Sequence, residues 1–255
     1  MGSSWNAGLR HYSSGVFILL PPSAKMRAAE RQSQRQRQRQ SQSQSQSQSQ
    51  VDLHSLLFSS QLLLRRRKLM ERSNFEGAST NSWALPAIDL YSGVLYQSLD
   101  FRTLPESVQK RGENEIFIFS DLFGVLRPSN LIPVHPKKTK ISIKSSDWSD
   151  LLPDLLNPLE SELVVDCRSS TYSGFWRPNP AITVAIRVFQ ESNGQRSVIT
   201  HMSKKYRGEL TRLLLLNDAP KNPGELLAIA ETTFKAELQK VSSTHPWKLD
   251  LLIPV

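Results

Sequence analysis

The chain carries one cysteine, Cys167, in 255 residues. That excludes an internal disulfide framework and any zinc site built from several thiolates. Its five histidines, His11, His54, His135, His201 and His245, show no i, i+4 pair and none of the carboxylate spacing of a metal site. No metal or cofactor is therefore expected, and direct iron binding has no support in the residues. Nowhere does an apolar run approach the roughly 20 residues that span a bilayer. The longest candidate is the short VFILLPP stretch at 16–22, so the chain is expected to be soluble with no membrane partner. Gly2 invites myristoylation, but Asn6 stands where that motif wants Ser or Thr. A nucleophile elbow and a paired-carboxylate motif are also missing, so no catalytic residue is assigned.

The body of the protein lacks an excess of either charge. Of 32 Lys and Arg and 23 Asp and Glu, residues 1–72 hold 12 basic and 3 acidic ones, which leaves 20 of each sign for the rest. The formal charge of +9 is thus a property of the N-terminal quarter, and a phosphate-binding surface on the body has to come from local clustering. With 38% apolar residues, ten Phe and five Trp, a substantial core is expected.

What is present divides the chain into five stretches. Residues 1–15, with Arg10, several Ser and no acid, fit either an organelle transit peptide or an upstream start. Residues 16–25 read as a first strand and turn. Residues 26–52 contain RQSQRQRQRQSQSQSQSQSQ, a two-residue polar repeat that cannot bury anything and so cannot offset the entropy of ordering. A disordered low-complexity insert is expected there. Residues 53–82 read as an amphipathic helix ending in the solvated basic cluster RRRK, then a loop. Residues 83–255 form the main body.

Within the body, EIFIF at 115–119, LVVD at 163–166, AITVAIRVFQ at 181–190 and SVITHM at 197–202 have the β-branched and aromatic content of strands. The last two flank Asn193-Gly194, which predicts an antiparallel hairpin. Helices are predicted at 149–156, 207–216 and 223–241, the last from Leu226, Leu227, Ala230, Phe234 and Leu238. Strands interspersed with helices imply an α/β fold of the mixed kind, one domain with a mixed central sheet flanked by helices.

Six ordered segments resemble one family. FILLPPSAK at 17–25 is similar to its opening strand and turn, and YSGVLYQSL at 91–99 to its Y-x-G-V-L-Y element. IFSDLFGVLRPSNLIP at 118–133 follows I-L-S-G-L-Y-G-V-L-R-P-x-D-L-I-x-P almost position for position. VVDCRSSTYSGFW at 164–176 resembles V-V-D-L-R-S-x-x-Y, and HMSKKYRGELTRLLL at 201–215 resembles H-x-x-K-x-x-K/R-G-x-x-x-R. KLDLL at 248–252 fits the final strand. On these residues the chain resembles the YaaA family of cytoplasmic peroxide-stress proteins.

The resemblance implies a single intracellular domain, induced during hydrogen peroxide stress, that limits damage from free iron. It also implies a DNA contact through a positive cleft and a helix-hairpin-helix element, and no established reaction. Two departures stand out. The interval that holds the hairpin element in the family holds here the Ser/Gln tract, one helix and a loop, and after Pro133 the pair His135-Pro136 replaces an aromatic and an Arg.

The densest cations of the body are Lys137, Lys138, Lys140 and Lys144, then Lys204, Lys205, Arg207 and Arg212. The second set is expected where a strand gives way to a helix, whose free N–H groups and dipole favour an anion. With Lys25, Arg127 and Arg168, which matching elements of the family place nearby, this set is the candidate site for double-stranded DNA or another polyanion, bound by charge with little base readout. Each of these cations has a plainer reading as a solvated charge, and Arg127 or Arg168 has a further one as the partner of Asp166 or Asp121 in a locked turn. An enzyme using Asp166, Arg168 and His201 on a phosphorylated or nucleotide substrate, with Tyr172 or Ser169 in support, is the alternative, and a degenerate family member a third. Cys167 beside Arg168 suggests a redox thiol, but Leu in the matching pattern makes it a small apolar strand residue.

Overall fold

Three of the chain's apolar runs, VFILL, IFIFS and LVVD, have no polar face to give to water, as expected of strands covered on both sides. The computed structural model describes residues 15–27, 52–73, 75, 84–135, 144–159, 163–192, 195–199, 202–240 and 242–254. Residues 1–14, the Ser/Gln tract and the Asn193-Gly194 turn lie outside these, as do His201, Lys137, Lys138 and Lys140.

In chain order the elements are β1 (Val16–Leu20), α1 (Ser59–Arg72), β2 (Ala84–Pro86), α2 (Ala87–Leu90), α3 (Val94–Leu99), α4 (Glu106–Glu115), β3 (Ile116–Ser120), β4 (Gly124–Leu126), β5 (Leu131–Pro133), α5 (Leu152–Leu156), β6 (Leu163–Asp166), α6 (Ser170–Ser173), β7 (Thr183–Ser192), β8 (Gln195–Val198), α7 (Ser203–Leu216), α8 (Pro223–Glu231), β9 (Lys235–Gln239) and β10 (Trp247–Pro254). The main sheet runs β4-β3-β1-β6-β7-β10-β9, with β8 added against β7. Its centre, β3-β1-β6-β7-β10, is parallel throughout, and β4, β8 and β9 pair antiparallel. β2 and β5 form a separate antiparallel pair.

Alternation along the central strands feeds two cores. Val16, Ile18 and Leu20 of β1 join Ile116, Ile118 and Val165 under α2, α3, α7 and α8. Phe17 and Leu19 join Phe117, Phe119, Leu62, Leu69 and Trp148 on the α1 and α5 side. The result is a mixed sheet between two helical layers. Among the described residues no helix is long and apolar enough to cross a membrane.

Three expectations need correction. The helix over 223–241 stops at Glu231, and Lys235–Gln239 pairs with β10 as an edge strand; the helical spacing of Phe234 and Leu238 also satisfies a two-residue period, and tertiary pairing decided. The 53–72 helix begins only at Ser59, after a short 3₁₀ turn at Leu53–Ser55. The RRRK cluster is not simply a solvated helix end. Arg66 is fully buried and donates to the carbonyls of Phe123, Leu57 and Val125, while Arg65 pairs with Asp150. Desolvation lowers the Arg66 pKa to about 9, so three carbonyls, rather than a carboxylate, hold it in place.

Helices α3 and α7 meet where Gly208 faces the Leu95 carbonyl; a Cβ there would lie 2.2 Å from that oxygen. Gly208→Ala is expected to force the helices apart and cost about 1–3 kcal/mol, as overpacking of a closed contact does. Urea unfolding of the variant checks it, and an unchanged midpoint would show that the two helices are not seated as described.

Candidate functional site

The sequence order and the spatial order of the central strands reverse around β1, with β3 on one side and β6 on the other. Such a reversal leaves a crevice outside the carboxyl ends of the strands, because the segments leaving them diverge. A cavity of about 580 Å³ lies there.

Its first wall is the segment after β1. Pro21 and Pro22 end the strand, and the turn that follows is fixed by Ser23 Oγ, which accepts from Lys25 N at 3.1 Å. Lys25 O accepts from Ser92 N, and Arg27 N donates to Leu90 O, which ties the loop to α2 and α3. Gly93, just before α3, comes so close that a Cβ would lie 2.3 Å from Ser23 Oγ. Tyr96 donates to Pro21 O at 2.7 Å from inside α3.

The second wall comes from the end of β3. Asp121 lines the cavity and accepts the Tyr172 hydroxyl at 3.0 Å, while Trp148 Nε1 donates to its backbone carbonyl at 2.7 Å. Burial first, and then the Asp121 charge, push the Tyr172 hydroxyl up, so it stays a donor.

The third wall follows β6 and opens α7, with Ser169, Thr171, Ser203, Lys204 and Arg207. Arg207 donates to the carbonyls of Cys167, Arg168 and Ile186, which seats α7 against the end of β6 and the body of β7.

The candidate cations therefore separate. Lys25, Lys204 and Arg207 line the one cavity. Arg127 donates to the carbonyls of Asn114 and Ile116 and lies 3.8 Å over the Phe117 ring. Arg168 is closed off from solvent: it pairs with Asp166 at 2.8 Å, bonds the carbonyls of Tyr172 and Trp176 and lies over Phe119. Arg212 donates to the carbonyls of Leu99 and Asp100 and so caps α3. Lys205 is near Glu209 and the Tyr206 ring. None of these four is on the cavity wall. Of the alternative group Asp166, Arg168 and His201, the first two pair with each other, and His201 lies outside the described residues. Cys167 is buried, and burial pushes its thiol up to about 12, so the neighbouring cation does not make it reactive.

Among the described residues no group of three or more His, Cys, Asp and Glu is arranged to hold a metal. Two aromatic lining residues, Tyr96 and His135, had no functional reading in the sequence. His135 is buried edge-on to Tyr91, Phe123 and Phe75, with Nδ1 on the Pro133 carbonyl at 2.9 Å. Desolvation lowers its pKa to about 4, against the opposing effect of the Pro133 bond.

Because the unfolded chain binds this proton from about pH 6.5 and the folded one only near 4, the contribution of His135 is present above that window and is lost as pH falls through it, by about 3 kcal/mol. Glu115, raised to about 7 by burial, works in the opposite sense between about pH 4.5 and 7. The His135 share is read as the difference between the parent and His135→Phe. The variant is expected to lose less stability between pH 7 and 4, and equal losses would contradict the assignment.

An α/β protein with a three-walled, partly cationic cavity at the carboxyl ends of its parallel strands is the class these features define. The profile described as peroxide stress protein YaaA matches residues 16–239. The chain belongs to the YaaA family. It is similar to a UPF0246 protein of Corynebacterium glutamicum, 35% identical over 174 residues, covering 64% of this chain and 69% of that one. A UPF0246 protein of Streptomyces coelicolor is 29% identical over 182 residues, 67% of this chain and 69% of that one.

Proposed function

We propose that this chain is a peroxide-stress protein that holds phosphate groups of DNA or another polyanion in the cavity, and that this binding limits iron-dependent oxidative damage. The observation that carries the reading is the convergence of Lys25, Lys204 and Arg207, from segments about 180 residues apart, on one concavity of an otherwise charge-balanced body. Two solvated ammonium groups contact phosphate as point charges, and Arg207, held by carbonyls, adds a fixed charge behind them. The N-terminus of α7 presents the positive end of its helix dipole on the same side.

Fluorescence anisotropy with a labelled duplex at low and moderate salt tests it. Binding should weaken with salt, and the Lys25→Ala/Lys204→Ala double variant should bind at least about tenfold more weakly. A double variant that binds as tightly as the parent defeats the reading.

A further inference from the structure

The cavity is not uniformly cationic, and a polymer of phosphates alone does not match it. Lys25, Lys204 and Arg207 lie on the walls after β1 and along α7, but Asp121 lies on the wall after β3. A carboxylate facing a second phosphate is repulsive, so whatever fills the space has to change character along its length. Three aromatic side chains, Tyr96, Tyr172 and His135, also line it. Their hydrogen bonds hold them as fixed surfaces: Tyr96 on Pro21 O, Tyr172 on Asp121 and His135 on Pro133 O. Flat apolar faces of this kind favour a flat ring. A volume of about 580 Å³ is within the range of small-molecule pockets and is far too small for a duplex.

We propose that the cavity is a mononucleotide site, phosphate toward Lys25, Lys204 and Arg207, and an amino-bearing base toward Asp121. The proposal rests on the reading of the cations given above and narrows it from a polyanion to a single nucleotide unit, free or turned out of a strand. Asp121 already accepts the Tyr172 hydroxyl, and a carboxylate has about four lone-pair sites, so it can accept an amino N–H as well. It discriminates by sign. The amino group of cytosine or adenine donates to a carboxylate, whereas the O4 of uracil only accepts and is repelled. The location agrees with the general habit of open α/β sheets, which bind ligands where the strand order reverses.

Isothermal titration of the full-length chain with cytidine 5′-monophosphate, uridine 5′-monophosphate and ribose 5-phosphate separates the two claims. The parent is expected to bind the cytidine nucleotide about tenfold or more tightly than either of the others. Asp121→Asn should abolish the preference for cytidine over uridine without weakening ribose 5-phosphate binding, and a parental thermal unfolding transition shows that the variant is folded. Lys204→Ala should weaken all three. If the parent binds the three equally, or Asp121→Asn keeps the preference, the nucleotide proposal is wrong and the phosphate reading survives. If Lys204→Ala leaves all three unchanged, the phosphate reading fails with it.

Discussion

Arg168→Ala is expected to lower stability by about 3–5 kcal/mol, because it leaves the partly buried Asp166 carboxylate and two carbonyls without their donor. The guanidinium forms a fork with Asp166, at 2.9 Å from Nε to Oδ1 and 2.8 Å from Nη2 to Oδ2, and its flat face lies over Phe119. It thereby joins the end of β6 to α6 and to the backbone at Trp176. A shift of this size corresponds to a fall in Tm on the order of 10 °C. Arg168→Lys keeps the charge but not the fork, and should recover less than half. Thermal unfolding of both variants decides. A variant that loses ligand binding at parental Tm would assign Arg168 to the site after all, rather than to the frame that carries it.

The Lys25→Ala/Lys204→Ala variant is the converse case, with a large loss of binding and little change in stability. Both ammonium groups are exposed, and an exposed Lys replaced by Ala changes stability by about half a kcal/mol or less. A charge-assisted hydrogen bond to phosphate is worth about 1.5–3 kcal/mol, so the pair accounts for two to four factors of ten if both contact the same group. On duplex DNA the loss should fall with salt, and the slope of log affinity against log salt should shrink by about 2. A variant of unchanged salt slope, even one that binds more weakly, would mean that these lysines do not meet phosphate.

Much of the frame was legible in the residues and less of the site was. LVVD, IFIF and FILL read as strands because a run with no polar face has only one place in an α/β protein, and the Asn193-Gly194 signal correctly brought β7 and β8 together. Lys235–Gln239 was misread because its apolar residues fit both a helix and a strand, and only the presence of β10 beside it decides between the two. Of the seven cations singled out in the sequence, Lys25, Lys204 and Arg207 line the cavity, and Asp121, read only as a partner for an Arg, lines it with them.

Charge was the part that sequence could not resolve. Arg127, Arg168 and Arg212 look like ligand-binding cations in a linear string, yet each donates to backbone carbonyls or a neighbouring carboxylate once the chain is folded. Arg invites this confusion because its five donors serve a helix end or a strand crossing as well as they serve phosphate. His135 and Tyr96 were missed for the opposite reason: an aromatic in an apolar segment reads as core, and both are core on one side and cavity wall on the other.

The direct measurement is an anomalous difference map from crystals of the full-length chain grown with tungstate, a heavy stand-in for phosphate. The anion should appear in the cavity beside Lys25, Lys204 and Arg207, and Lys204→Ala crystals should lose it. Tungstate bound elsewhere on the molecule, with this cavity empty, would contradict the claim that these three side chains form an anion site.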